Sequence, residues 1–418
     1  MEKERVIIHI DLNNFYASVE CLKNEHYRHV PMAVCGVEEL RHGIVLAKNQ
    51  LAKDKGVKTG EPIWQARQKC PNLEVCTPNF SDYLRFSKLA RSVYEKYTNR
   101  VEAFGIDECW LDVTDSVRLF GSGKEIADRI REEIRREIGI TASAGVSFNK
   151  ITAKLASDYK KPDATTVIDR ENYNKIVYPL KVEALLYVGR ATKEKLNKVG
   201  IMTIGDLAVA KEDMLVRMLG KNGQYLHKFA NGLDNAEVRQ VGIASVIKSV
   251  GNSMTTVRDI KSEKDAEIVF NILAESVGAR LREHKLKGSN IAIYVKYATL
   301  DVFSRQMELP YATSSSLEIV KGAMEIFNKY MKPPYELRQL GLKVGSLVEA
   351  DEEIVQLDFI GEAENRIKKE KLEKVVDKIR GRFGFNSVKK AIMCIDESLT
   401  EIDNPKKTNI IHPLCFFR

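Results

Sequence analysis

Gly105-Ile106-Asp107-Glu108-Cys109-Trp110-Leu111-Asp112-Val113 sets two adjacent acids between β-rich segments, and this stretch decides the fold. Val101–Ile106 and Cys109–Val113 are close enough to form a hairpin with the acids in its connection. Upstream, Val6-Ile7-Ile8-His9-Ile10 is a short apolar run ending on Asp11, which predicts a buried strand. Phe15 to Cys21 continues at helical spacing, with Phe15, Val19 and Leu22 on one face. Downstream, Lys124–Ile134 carries Ile126, Ile130 and Ile134 as an i,i+4 stripe, and Gly139 closes that helix. Ile140–Phe148 reads as another strand. The order β-α-β-β-α-β is the split-βαβ arrangement of a ferredoxin-like palm.

In such a sheet the first and third strands are central neighbours, so Asp11 and the hairpin acids can converge. Adjacent residues on a flat strand face opposite sides, so Asp107 and Glu108 share a site only where the hairpin turns. Clustered carboxylates raise one another's pKa unless cations sit among them. Hard oxygen ligands of this kind suit magnesium, which takes the rest of its shell from water and substrate phosphates. Two such ions would activate an attacking hydroxyl and stabilise a leaving pyrophosphate. Any one acid alone is better read as turn chemistry. Three at matching places in a palm favour phosphoryl transfer.

A chain of 418 residues exceeds one hydrophobic core and predicts two to four domains. The net charge of +8 is compatible with a polyanionic partner but does not require one. No run approaches the roughly 20 apolar residues of a membrane span, and the charged start Met1-Glu2-Lys3-Glu4-Arg5 has no signal core behind it. A cytoplasmic monomer with no membrane contact is expected. Seven cysteines without a Cys-x-x-Cys pair argue against a zinc site or a disulfide framework and predict reduced, mostly buried thiols.

The predicted organisation is an α+β multidomain chain: a palm over 1–30 and 79–168, interrupted by an inserted subdomain over 31–78 with a basic helix around Ala47–Lys55. Short helices with Gly-centred turns follow over 169–240. A second βαββαβ-like unit spans 241–349, with strands Ile291–Tyr297, Val302–Leu309 and Gln339–Val348 and helices Asp265–Arg282 and Ser315–Met331. The tail, 350–418, holds one charged amphipathic helix, Glu362–Phe383, and an apolar run, Ile410–Phe417, expected to pack on the body or a partner.

Ile10-Asp11-Leu12-Asn13-Asn14-Phe15-Tyr16-Ala17-Ser18-Val19-Glu20, taken with Gly105–Val113, resembles the Y-family DNA polymerases. Ala144-Gly145-Val146-Ser147-Phe148-Asn149-Lys150, Ala153-Lys154-Leu155-Ala156-Ser157 and Lys160-Lys161-Pro162 match that family's later palm motif. The resemblance covers about residues 5 to 350. It implies a template-directed, error-tolerant lesion-bypass polymerase with palm, fingers (31–78), thumb (169–240) and little finger (241–349). Asp11, Asp107 and Glu108 would be the catalytic metal ligands for two Mg2+ ions, with the Leu12 carbonyl as a further ligand. Tyr16 would be the steric gate against a ribonucleotide's 2′-hydroxyl. Asn49, Gln50, Lys53 and Lys161 would contact the dNTP, although many members carry Tyr at position 50 and Arg at 53. Asn13 replaces an Asp common in the polymerase IV branch, and with Lys53 it leans toward the UmuC-like branch, which stays open.

Leu185–Leu196 looks like a helix-hairpin-helix, whose turn amides would face a DNA phosphate through Val188, Gly189, Arg190 and Thr192, with Tyr187 where the motif usually has Gly. In the little finger, Lys248, Arg258, Lys296 and Arg305 would contact DNA phosphates. Gln356-Leu357-Asp358-Phe359-Ile360 resembles a peptide that docks on a sliding clamp through Gln356, Leu357 and Phe359. Primer–template DNA, dNTPs and a clamp are the partners implied. Two rivals remain: a nucleotidyl cyclase built on a palm-like sheet, and a catalytically inactive DNA-binding relative.

Overall fold

The computed structural model describes residues 4–38, 41, 43–243, 246–350 and 362–400. Its strands are β1 (Ile7–Leu12), β2 (Met32–Cys35), β3 (Val45–Lys48), β4 (Glu74–Cys76), β5 (Val101–Ala103), β6 (Glu108–Asp112), β7 (Ala142–Ser147), β8 (Thr165–Val167), β9 (Val250–Ile260), β10 (Leu286–Tyr297), β11 (Val302–Thr313) and β12 (Leu337–Glu349). They form three sheets, ordered β5-β6-β1-β7-β8, β3-β2-β4 and β11-β10-β12-β9. Contacts divide the chain into two compact units, the first holding the first two sheets and a helical region, the second holding the third sheet.

In the first sheet, β7-β1-β6-β5 is the ferredoxin-like order, with β8 added in parallel beside β7. Every residue of β1 is buried because both faces of the sheet are covered. Ile8, Ile10 and Leu12 enter the large palm core together with Ile126, Ile130 and Ile134 of the helix Gly123–Ile138. That helix opens on a reciprocal Ser122–Glu125 capping box and closes at Gly139, whose φ is 84°. Burying each isoleucine of the stripe contributes about 2 kcal/mol. The other parity of β1 (Ile7, His9, Asp11) faces the opposite side, where the helix Lys150–Tyr159 packs. Gly145 makes that packing close: a Cβ there would lie 2.0 Å from the Ala153 carbonyl oxygen and 2.3 Å from the Ser157 amide.

The insertion has a small core of its own, with Ala33, Cys35, Val45, Ala52, Ile63 and Leu73 buried together. The basic helix expected around Ala47–Lys55 is shorter than predicted. Residues through Lys48 belong to β3, and the helix runs only from Gln50 to Asp54. The helices Arg190–Lys198, Ile204–Val209, Glu212–Leu219 and Lys221–Ala230 share a core with Leu185, Leu196, Leu207, Leu215 and Leu226. The turn before Arg190 is preceded only by a 3-10 turn, Val182–Ala184, so the first arm of the expected helix-hairpin-helix is abbreviated. Tyr187 lies in the left-handed region at φ 72°, the conformation that explains the motif's usual glycine.

The second unit's sheet is covered by the helices Glu263–Glu283 and Ser316–Tyr330. The sequence pattern predicted three of its strands; β9 is the fourth. Residues 362–400 are not a tail apart from this unit. Arg282, almost fully buried on the first of these helices, pairs with Glu373 at 2.7 Å and Asp377 at 2.6 Å on the helix Glu362–Phe383. Glu275 pairs with Arg380 at 2.9 Å, and Met393 and Leu399 pack on Ile268 and Ile272. The proposed clamp residues Gln356, Leu357 and Phe359, and the run Ile410–Phe417, lie outside the described residues. Cys35, Cys70 and Cys109 are buried thiols, Cys21 and Cys76 are partly so, and Cys394 is exposed. No described helix is long and apolar enough to cross a membrane.

Candidate active site

Strand parity builds the site. Asp11 is the direct cross-strand partner of Glu108, and His9 that of Trp110, so all four side chains share the face opposite the isoleucine core. Asp107 precedes β6 in a bend, where the Leu12 amide donates to its carbonyl oxygen at 3.0 Å. The bend is held from behind by the buried Ser87 hydroxyl, which donates to the Ile106 carbonyl. β5 therefore ends at Ala103 rather than at Ile106, and that shortening frees Asp107 from strand alternation.

Two ammonium groups reach into the acids, Lys154 from the helix Lys150–Tyr159 and Lys161 from just beyond its end. Lys154 Nζ lies 2.9 Å from Glu108, 3.5 Å from Asp11 and 3.3 Å from Asp158. Lys161 donates to Asp11 at 2.7 Å and also pairs with Asp158 at 2.7 Å. Burial opposes the charged form of Lys154, but Glu108, Asp158 and Asp11 outweigh it and hold its pKa above the usual lysine range. Burial also raises Asp11, against the pull of Lys161 and with the push of Glu108. Asp107 is pushed up to about 7 by burial and by the charges of Asp11 and Glu108. Glu108 ends well below the ordinary carboxylate range, since His9 and Lys154 overcome its burial. His9 is driven below its usual value mainly by burial, against the pull of Glu108.

The acid cluster fits a hard divalent cation. Its donors are carboxylate oxygens, and Asp11 and Glu108 add their charges to the burial that raises Asp107. Among the described residues, no three His, Cys, Asp or Glu side chains stand ready to enclose an ion unaided. The rest of a coordination shell would come from water and substrate phosphate.

Tyr16, at the start of the helix after β1, stacks on Tyr83 with centroids 4.2 Å apart and 11° between planes, and meets Phe80 edge-on. Tyr83 is fixed in turn by donating to Glu20 at 2.7 Å. Burial, then the charge of Asp107, pushes the Tyr16 phenol up to about 12. Asn13 is buried and tied to Thr141 and Ser143, a brace at the end of β1.

Asn49 corrects its predicted role. Its side-chain oxygen accepts from the amides of Ala52 and Met32, and its amide nitrogen donates to the carbonyls of Tyr27 and Val30. All of its hydrogen-bonding capacity is used inside the fold, which leaves nothing for a nucleotide. Gln50 is exposed and donates to Asp54 at 2.7 Å. Lys53 is exposed on the same short helix. Lys48, not singled out from the sequence, donates to the Thr59 hydroxyl at 2.9 Å and is lowered first by burial and then by the charge of Lys53. Lys154 is the other omission. The signal was present, because Lys150, Lys154, Ser157 and Asp158 recur at helical spacing within the helix Lys150–Tyr159.

The model for the impB/mucB/samB family matches residues 10–158, and the model for its C-terminal domain matches 247–359. A DNA polymerase IV of Acetivibrio thermocellus is 50% identical over 96% of this chain and 100% of its own. The chain belongs to the Y-family DNA polymerases. A DNA polymerase IV 1 of Bacillus subtilis is 37% identical over 96% of each chain, so the lean toward the UmuC-like branch finds no support in these relatives' names. Residues 185–234 match a model described as the thumb domain of DNA polymerase-iota. Among solved structures, a Y-family polymerase chimera superposes with a TM-score of 0.73 at 24% identity, covering 82% of this chain and 99% of its own. DinB from Sulfolobus solfataricus gives 0.54 at 25% identity, covering 81% and 98%.

This Y-family polymerase is thus a DNA-directed DNA polymerase of the translesion kind, dependent on divalent metal. The cyclase reading leaves the thumb and C-terminal matches without a purpose.

Several of the residues expected to touch DNA in the Y-family polymerase are engaged elsewhere. Arg258 pairs with Asp265 and Asp396, each at 2.7 Å, which takes its guanidinium into the second unit's own framework. Lys296 lies opposite Gln339 and Val302, on the sheet face away from the two covering helices. Arg305 lies opposite the core residue Ile293, on the helix side, with its guanidinium over Phe303 at 4.6 Å and Tyr330 at 5.5 Å. Lys296 and Arg305 therefore do not share a face. Lys248 is exposed ahead of β9. In the thumb, Val188 is buried, Gly189 caps the helix Arg190–Lys198, Arg190 is nearly fully exposed beside Glu194, and Thr192 is half-buried.

Proposed function

We propose that this polymerase extends a primer through two Mg2+ ions held by Asp11, Asp107, Glu108 and the Leu12 carbonyl. The pairing of Asp11 with Glu108 beside the bend that carries Asp107 is the observation that supports the reading. The primer 3′-hydroxyl attacks the α-phosphate of the dNTP, and pyrophosphate leaves. Bound magnesium would lower the pKa of the attacking hydroxyl and offset charge on the leaving group. Lys161 turns from Asp11 to the triphosphate as substrate enters, while Lys154 holds Glu108 and Asp11 in place. Lys48, Lys53 and Gln50 form the fingers side of the triphosphate site. Tyr16, braced by Tyr83, excludes a ribose 2′-hydroxyl.

The domain roles follow the same reading: palm 1–30 and 79–168, fingers 31–78, thumb 169–240 and little finger 241–349. The C-terminal helix from 362 joins the little finger. The thumb turn at Val188–Thr192 takes a backbone phosphate, and Lys248 and Lys296 add electrostatic contacts. Gln356, Leu357 and Phe359 dock on a clamp, and the enzyme works as a cytoplasmic monomer.

The test is extension of a primed template, damaged and undamaged, with Mg2+ supplied or withheld. The reading expects strict dependence on Mg2+ and on the primer, and ribonucleotide incorporation that rises in Tyr16→Ala. Turnover of nucleotide without a primed template, or unchanged sugar selection in that variant, would contradict it.

A further inference from the structure

His9 is fully buried at the centre of β1, and the chemistry above makes no use of it. Its ring is not simply packed. Nδ1 lies 2.8 Å from the Ser157 hydroxyl, and Nε2 faces Glu108 Oε2 at 3.3 Å. Trp110 meets the ring edge-on with centroids 5.4 Å apart. Gly145, the partner of His9 across β7, is the gap that lets Ser157 come within reach.

We propose that His9 is a positioning residue, which aims the Glu108 carboxylate at the reaction centre, and that Ser157 selects the ring tautomer that does so. The inference rests on Glu108 being a cation ligand. The Ser157 hydroxyl has one proton and two acceptors, the Lys154 carbonyl at 2.8 Å and His9 Nδ1. If the proton goes to the carbonyl, the neutral ring carries its own proton on Nδ1, and a bare Nε2 lone pair confronts a carboxylate oxygen. If it goes to Nδ1, the ring proton sits on Nε2 and points at Glu108. The carboxylate favours the second arrangement. Both His9 and Lys154 then act on Oε2, which leaves Oε1 to face an ion. Partners of this kind behind a metal ligand typically govern about 10–100-fold in metal affinity or activity.

The experiment compares His9→Leu, His9→Gln and Ser157→Ala with wild type and with Glu108→Ala. Mn2+ affinity is measured calorimetrically on the enzyme bound to a dideoxy-terminated primer–template, without dNTP. Extension is measured separately, giving kcat and the dNTP KM, and the thermal midpoint of each variant is recorded. We expect His9→Leu to weaken Mn2+ binding and lower kcat by about tenfold each, with KM changed less than about twofold. His9→Gln, whose amide can still donate to Glu108, recovers most of the loss, and Ser157→Ala falls between. Wild-type Mn2+ affinity and kcat in His9→Leu would overturn the inference, as would a lowered thermal midpoint alone. Should His9→Leu not fold, wild-type behaviour of Ser157→Ala overturns it equally. If Glu108→Ala binds Mn2+ and extends like wild type, the underlying assignment of Glu108 fails instead.

Discussion

The palm sheet and the C-terminal sheet follow the same succession, β-α-β-β-α-β, yet they close differently. In the palm, β1 lies at the centre between β6 and β7, and the hairpin strand β5 takes the edge. In the C-terminal sheet the first strand, β9, is itself at the edge, and β10 and β12 are central. Both arrangements are split-βαβ folds with antiparallel neighbours, so element order alone does not choose between them. The consequence is chemical. A central first strand covered on both faces can end on an acid that meets a second acid across the ladder. The first strand of the C-terminal sheet has a single neighbour, β12, and that sheet carries no such cluster among its described residues. Charge in the palm turns inward onto a reaction site, whereas the C-terminal unit uses much of its charge to fasten its own helices.

The comparison breaks most sharply at Asp107. Replacing it with Ala should reduce primer extension by about three orders of magnitude or more while gel-shift affinity for primed DNA holds. Retained extension would remove the palm side of the contrast. Next, Lys154→Met leaves Asp11 and Glu108 without their shared cation. In divalent-free buffer it should lower stability by about 3 kcal/mol, with most of the loss recovered on adding Mg2+, as thermal melts would show. An unchanged melt in chelator would mean the inward charges are not coupled.

On the C-terminal side, Arg258→Ala should cost about 1 kcal/mol, discounted for partial exposure, and leave DNA affinity nearly unchanged. Lys296→Ala should do the reverse, reducing the slope of log affinity against log salt by about 1 at unchanged thermal midpoint. If the two variants exchange phenotypes, the distinction between fastening and contacting charges is wrong. The smallest effect concerns Asp396, held at about 2 by Arg258 and then by Ser398, against an ordinary 3.8. A depressed carboxyl stabilises the folded form above its ordinary pKa and loses that contribution as pH falls toward the folded value. The thermal-midpoint gap between wild type and Asp396→Asn should therefore be full above about pH 5 and shrink toward pH 2. A gap independent of pH would detach the 385–399 segment from this ion pair.

Much of the palm was legible because its signals are local and periodic. The stripe Ile126, Ile130, Ile134 and the closing Gly139 delimit a helix, and Asp107-Glu108 falls at a turn whichever way the sheet closes. β9 was passed over because its alternation is muted: Gly251, Asn252, Ser253 and Thr255 give little period-two contrast at an edge. Asn49 misled because the family resemblance alone carried its role over, while its four backbone partners are visible only once the chain folds. Arg258 and Arg305 misled for the same reason, since a basic residue looks identical in sequence whether its partner is a phosphate, a carboxylate or an aromatic ring.

The sequence by itself determined that this chain builds a palm with acids at the end of its first strand and in its first hairpin. Those features depend on side-chain period and on residue types that act within a few positions of one another. Only the tertiary structure decided which charges meet: that Lys154 stands between Asp11 and Glu108, that His9 faces Glu108 while Ser157 reaches it over the gap at Gly145, and that Arg258 closes on Asp396. Electrostatic partnership depends on distances across several elements of chain, and no local pattern encodes them.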